Sequence, residues 1–136
     1  MEKISETYEL PADDALDTST VAQSVTHQLR RAHGQFTNRF LLHFSRLNLR
    51  PAEFSVLSLI AQNPGRKQSE IAAALGIQRA NFVVLMNELE SRHLTERRSA
   101  PNDRRSYAIH LTPAGESLLA HARRAEADFE ADCLER

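Results

Sequence analysis

Residues 68–116 read QSEIAAALGIQRANFVVLMNELESRHLTERRSAPNDRRSYAIHLTPAGE, and their spacing decides the fold. Ile71 and Leu75 stand one helical turn apart before Gly76, which predicts a short helix over Gln68–Leu75 ended by that glycine. After Ile77, the residues Phe82, Leu85, Met86 and Leu89 fall at i, i+3, i+4 and i+7, so a second helix with one apolar stripe is expected over Arg79–Arg92. Two helices joined by a short turn containing glycine make the helix-turn-helix pattern. Leu94–Arg98 and Tyr107–Leu111 are two short strand candidates separated by the polar, turn-rich SAPNDRRS. They predict a two-stranded wing, tipped by Pro101, Asn102 and Asp103 and carrying Arg104 and Arg105. Thr112-Pro113 then caps and opens a helix from Ala114 to about Leu134, with Leu118, Leu119, Ala122, Ala125 and Phe129 on its apolar side.

Upstream, Pro51 suits the first turn of a helix that buries Phe54, Leu57, Ile60 and Ala61 and stops at Asn63-Pro64-Gly65. Before it, Val21, Val25, Leu29, Ala32, Phe36, Phe40, Phe44 and Leu47 recur in steps of four and three. They predict one long amphipathic helix capped by Thr18 or Ser19. At about 27 residues it would run some 40 Å, more than a small domain needs for its own core, so part of its apolar face is expected to meet another subunit. Residues 1–17 contain Pro11, the pair Asp13 and Asp14, and no periodicity, and read as an arm. The expected organisation is a mainly α chain: an arm (1–17), then one domain (18–136) in which a winged lobe (51–111) lies between long helical segments (18–48 and 112–136).

Composition narrows the function classes. The 136 residues, 41% of them hydrophobic, suit one domain. No run approaches the ~18 apolar residues of a membrane span, and MEKISETYEL lacks the basic-then-apolar order of a secretory signal, so a soluble, cytoplasmic protein is expected. Cys133 is the one cysteine, which rules out an intramolecular disulfide and a cysteine-rich zinc site. Its neighbours Asp132 and Glu135 disfavour a thiolate. The six histidines, at 27, 33, 43, 93, 110 and 121, include no i, i+4 pair, so no metal is expected. With no nucleophile motif and no glycine-rich phosphate loop, neither an enzyme nor a cofactor is expected.

The net charge of −1 is unevenly spread. Residues 1–20 hold one positive and six negative side chains, 21–65 five and one, 66–111 eight and five, and 112–136 three and six. A basic middle between acidic ends fits a local phosphate-facing surface. The near-neutral total leaves a rival open, a winged helix that binds protein and has no specific DNA target.

The segments LRPAEFSVLSLI, QSEIAAALGIQ, LMNELESRHLTERR and PNDRRSYAIHLTPAGE, in that order and spacing over residues 18–134, resemble the MarR family of winged helix-turn-helix transcriptional regulators. The most specific element is Asp103-Arg104-Arg105 with Thr112 seven residues after Arg105, and Leu111, Thr112, Ala114 and Gly115 closing the wing. The resemblance implies a homodimer, with 18–48 and 112–136 as dimerisation helices interleaved with the partner's, on a pseudo-palindromic duplex operator, its two recognition helices about one DNA turn, ~34 Å, apart.

By the same resemblance, Gln78, Arg79, Asn81 and Val84 would read bases, through guanine for Arg, adenine for Asn or Gln, and a thymine methyl for Val. Arg104 or Arg105 would enter or border the minor groove, with Asp103 shaping the tip. Arg66, Lys67, Ser69, Arg97 and Arg98 would hold phosphates. A small-molecule pocket lined by His33, Phe36, Phe40, Phe44 and His110 is implied, for an effector such as an aromatic carboxylate or its thioester.

The chain departs from the family pattern at three points. His93 stands where a glycine usually ends the recognition helix, and Lys67 where a Thr or Ser usually caps the helix after it, with Ser69 as the expected substitute. The third is a further C-terminal helix, general in the family, whereas this sequence stops at Arg136. Either the chain is shortened, or residues 1–17 and the long first helix supply the missing contact.

Overall fold

The computed structural model describes residues 16–100 and 103–135, and for residues 100 and 103–106 the course of the backbone alone. The element order is α1 (Ser19–Ala22), α2 (Val25–Phe44), a 3-10 turn (Ser45–Leu47), α3 (Pro51–Gln62), β1 (Arg66–Lys67), α4 (Gln68–Leu75), α5 (Arg79–Ser91), β2 (Thr95–Ala100), β3 (Asp103–Leu111) and α6 (Pro113–Leu134). No helix among the described residues is long and apolar enough to cross a membrane. The arm expected over residues 1–17 lies outside the described residues up to position 15. The chain forms two compact units, divided between Gln35 and Phe36.

In the first unit the long first helix expected from the sequence is interrupted. α1 ends after one turn, the Ser24 N–H bonds back to the Val21 carbonyl at 3.0 Å, and a new helix starts as the Gln28 N–H reaches the Ser24 carbonyl, also at 3.0 Å. Thr18, Thr20, Val21, Val25 and Thr26 crowd this stretch with β-branched side chains, which lose χ1 freedom in a helix. The Gln28 side-chain amide donates to the Ala22 carbonyl that the break leaves open. Neither expected cap acts as one: Thr18 makes no side-chain cap bond, and the Ser19 N–H donates instead to the Asp17 carboxylate at 2.9 Å.

The second unit holds the core. Phe40 and Phe44 stack with centroids 3.9 Å apart, Phe54 meets Phe44 edge-on, and Phe129 of α6 meets Phe40 edge-on. Val56, Leu57, Ile60, Phe82, Met86, Leu89 and Ile109 are fully shielded from solvent. α3 thus packs between the end of α2, α4 with β3, and α6 by presenting apolar residues on more than one face.

The wing hairpin pairs β2 with β3, Thr95 opposite Leu111 through Ser99 opposite Tyr107. A third strand not foreseen in the sequence, β1, pairs antiparallel with the other edge of β3, Arg66 opposite Ile109 and Lys67 opposite Ala108. Two residues are too few to show a strand period, and this strand exists only through its partner. The expected boundaries at Pro51, Gly76 and Thr112 hold: Gly76 sits at φ +64° as the left-handed cap of α4, and the Thr112 hydroxyl accepts the Gly115 N–H at 3.0 Å.

His93 adopts φ +57°, the conformation its place at the end of α5 demands. At the start of α4 the cap is made without Ser69. The Glu70 carboxylate reaches back to accept the Lys67 N–H at 2.9 Å, the half of a capping box that a lysine at the cap position still permits.

Candidate nucleic-acid interface

α5 has one face in the core and one in solvent. Phe82, Leu85, Met86 and Leu89 anchor the inner face. Arg79, Asn81 and Val84 are exposed on the other, Val84 to 58%, and Gln78 occupies the N-cap position with its side chain uncommitted to capping. An exposed valine between polar neighbours on an anchored helix gains nothing from water, and suits contact with a partner surface.

Between α4, α5 and the sheet runs an open groove of about 360 Å³, lined by Lys67, Gln68, Ser69, Arg79, Val83, Asn87, Arg97 and Tyr107 among others. The structure therefore brings together Lys67, Ser69, Arg79 and Arg97 from four separate sequence positions. The cations differ in their engagement. Arg97 of β2 ion-pairs with Glu90 at 2.7 Å and donates to the Asn87 amide oxygen at 3.2 Å, which ties the wing to α5. Arg98 holds Glu96, and Arg66 lies 3.5 Å from Glu70. Arg79 makes no hydrogen bond or ion pair with the described residues. Exposed pairs of this kind are worth ~0–1 kcal/mol, so exchanging a carboxylate for a phosphate costs little. The side chains of Asp103, Arg104 and Arg105 lie outside the described residues, as do Pro101 and Asn102; the backbone of 103–105 belongs to β3.

Sequence reasoning missed Asn87, Val83, Gln68 and Tyr107. Arg79, Val83 and Asn87 form an i, i+4, i+8 stripe that the sequence already contained. Tyr107 shares the alternation of Ile109, yet Ile109 is fully buried while Tyr107 is half exposed, because β3 runs past the edge of the core.

A second cavity, about 540 Å³, opens between α2, α3 and α6 and is lined by Phe36, Phe40, Pro51, Phe54, Ser55, Glu126, Phe129, Glu130, Cys133 and Leu134. Of the residues expected to meet an effector, Phe36 and Phe40 line it. Phe44 is buried beneath the Phe40 ring, His110 sits on β3 against Gly65, and His33 is exposed on the part of α2 in the first unit. The remaining walls come from α3 and α6, which no local pattern joins to α2. Burial, and then the neighbouring Glu130, raise the pKa of the Glu126 carboxyl, with Arg123 opposing them.

Comparison with known proteins bears on the family and the fold. The model of the MarR family matches residues 47–106. The chain is similar to a putative transcriptional regulatory protein for the hcr operon of Thauera aromatica, 39% identical over 85 residues that make up 60% of this chain; it spans about half, 51%, of that protein. It is 31% identical over 96 residues to the transcriptional regulator HosA of Escherichia coli O111:H-, covering 71% of this chain and 70% of HosA. Among solved structures it resembles the transcriptional repressor CouR bound to a 23-mer DNA duplex, with a TM-score of 0.81 and 40% identity over 88% of this chain and 84% of CouR. CouR bound to p-coumaroyl-CoA gives a TM-score of 0.80 at 38% identity over the same shares.

Proposed function

The chain belongs to the MarR family, and from that premise we propose that it is a ligand-responsive transcriptional regulator which binds a pseudo-palindromic duplex operator as a cytoplasmic homodimer and represses until a small effector releases it. It is a binding protein with no catalytic step. The observation that carries this reading is the two-sided character of α5: four apolar residues hold it to the core while Arg79, Asn81 and Val84 stand in solvent, and Arg79 lines a groove together with Lys67 and Arg97.

In this reading α5 enters the major groove. Arg79 pairs with guanine, Asn81 and Gln78 with adenine, and Val84 touches a thymine methyl. Arg66, Lys67, Ser69, Arg97 and Arg98 contact phosphates, Arg66, Arg97 and Arg98 trading carboxylate partners for them. Arg104 or Arg105 borders the minor groove at the tip of the wing, with Asp103 shaping the tip. Two copies present two such helices about one turn of DNA apart.

The aromatic cavity between α2, α3 and α6 is where the effector sits, and an aromatic acid or its thioester is the class proposed; the ligand of CouR supports this. Release follows if the effector prefers a form of the dimer that DNA does not accept, by an amount equal to the difference in its two affinities. The test is a gel shift of genomic fragments in rising salt. Specific retardation that weakens steeply with salt supports the regulator; absence of any retarded fragment at low salt favours the rival, a protein-binding winged helix.

A further inference from the structure

The first turn of α3 serves two neighbours at once. Pro51, Phe54 and Ser55 line the aromatic cavity. Arg50, just before the helix, and Glu53, within the same turn, meet the C-terminal turn of α5. Glu53 is only 4% exposed; it accepts the Arg50 N–H at 2.9 Å and the Arg50 guanidinium at 3.0 Å, and its carboxylate lies 3.8 Å from Arg92. Arg50 also ion-pairs with Glu88 of α5. Arg92, at the C-cap of α5, donates to the carbonyls of Asn48 at 2.9 Å and Leu47 at 3.2 Å, in the segment that joins α2 to α3.

We infer that this four-residue cluster of Arg50, Glu53, Glu88 and Arg92 is the link through which filling of the aromatic cavity repositions the DNA-reading helix. The inference rests on the reading of the chain as an effector-responsive regulator and supplies its mechanical step. A ligand that presses on Phe54 or Pro51 displaces the first turn of α3 as a unit, because the proline ring fixes its φ and the Glu53 carboxylate closes it. Arg50 and Glu53 move with that turn. A buried carboxylate cannot part from its cations cheaply, so Arg92 follows it, and Glu88 follows Arg50. α5 is held at its C-terminal turn by these pairs, and its exposed, base-reading end lies at the other end of the same rigid helix. An exposed Arg–Glu pair such as Arg50–Glu88 adds little stability by itself. Here it joins a cavity wall to the helix that would read DNA.

Arg50, Glu53, Glu88 and Arg92 are thus positioning residues, and the test reads transmission, with stability held apart. Ser55→Trp fills the cavity without any ligand, and amide hydrogen exchange of the full chain is followed in fragments 47–56 and 86–94. With the cluster intact, Ser55→Trp is expected to change exchange in both fragments, by about fivefold or more, the lower end of ordinary coupling between sites. In Glu53→Gln/Glu88→Gln, where the side-chain amide oxygen at position 53 can still accept the Arg50 N–H, the change at 47–56 persists while that at 86–94 falls below about fivefold, under the ordinary range of coupling between sites. Glu88→Gln alone, at a half-exposed side chain whose pair with Arg50 adds little stability, weakens the response, and Glu88→Asp retains it. A response at 86–94 of equal size without the two carboxylates, or none with them, overturns the inference. No DNA is used, so failure here leaves the regulator reading standing, and failure to bind DNA leaves this result untouched.

Discussion

A Cβ placed on Gly115 would stand 2.1 Å from the carbonyl oxygen of Leu94. The contact sits where the wing closes: the Thr112 N–H donates to that same oxygen at 3.1 Å, and the Thr112 hydroxyl donates to the His93 carbonyl at 2.5 Å. The segment between α5 and β2 and the cap of α6 are thereby joined by one backbone bond and one from the Thr112 hydroxyl. Gly115→Ala forces a methyl group against the Leu94 backbone and is expected to cost about 3 kcal/mol or more, a fall in Tm of roughly 10 °C for a chain of this length. Thermal denaturation checks it; an unchanged Tm would show that the junction can open.

His93 holds a left-handed conformation that a side chain disfavours by roughly 1–2 kcal/mol. The bond made at this position uses its backbone carbonyl, so His93→Gly keeps it. After allowance for the greater freedom of glycine in the unfolded chain, a gain of about 0.5–1 kcal/mol is expected in urea titration. A loss would mean that the imidazole does more than tolerate its place.

Glu53 is a buried acid that accepts hydrogen bonds from the Arg50 N–H and guanidinium and ion-pairs with Arg92. Glu53→Ala removes the helix-capping acceptor, about 1 kcal/mol, and strips Arg92 of its carboxylate, for a total near 1–3 kcal/mol after discounting the exposure of both arginines. Glu53→Gln keeps the capping acceptor and is expected to cost less. Chemical denaturation of the two variants side by side separates the contributions of hydrogen bond and charge.

The raised pKa of the Glu126 carboxyl has a definite sign. The folded chain holds this proton more tightly than the unfolded chain does, so stability contributed here falls as pH rises from the ordinary value of 4.5 through the raised one. Glu126→Gln removes that loss: it is expected to raise the Tm at pH 7 and to make no difference below about pH 4, where the acid is neutral in both states. Equal gains at both pH values would place the cause in packing and not in ionisation.

Arg79→Ala and Asn81→Ala are expected to relax base preference at one fixed position each, by about 1–3 kcal/mol of discrimination. Arg104→Ala and Arg105→Ala are expected to weaken binding, most where the minor groove beside the wing is narrow and A·T-rich, and to lower the salt slope as a cation is withdrawn from the duplex. Salt-dependent titrations against a bound sequence and its point variants read both quantities. Footprints unchanged in all four variants would remove these residues from the interface.

What the sequence made legible was local. Pro51, Gly76 and Thr112-Pro113 mark helix ends because a fixed φ, a left-handed residue and a hydroxyl cap each act within one turn. The inner stripe of α5 was legible for the same reason, since residues three and four apart share a face. The break at residues 23–24 was hidden because a run of apolar steps of three and four continues across it, while the β-branched crowding that stops the helix leaves the period intact. β1 was hidden because a two-residue strand is defined by β3, over 40 positions away. The walls of the aromatic cavity and the cluster of Arg50, Glu53, Glu88 and Arg92 assemble side chains from separate helices, and no spacing along one helix encodes such a meeting.

Reading of duplex DNA by α5 and the wing is tested most directly by a hydroxyl-radical footprint of the full chain on a duplex selected from a random library, at low and at moderate salt. The expected result is two protected patches on one face of the duplex, about 34 Å apart, fading as salt rises. Failure to enrich any sequence, or protection spread evenly along the duplex, would contradict it.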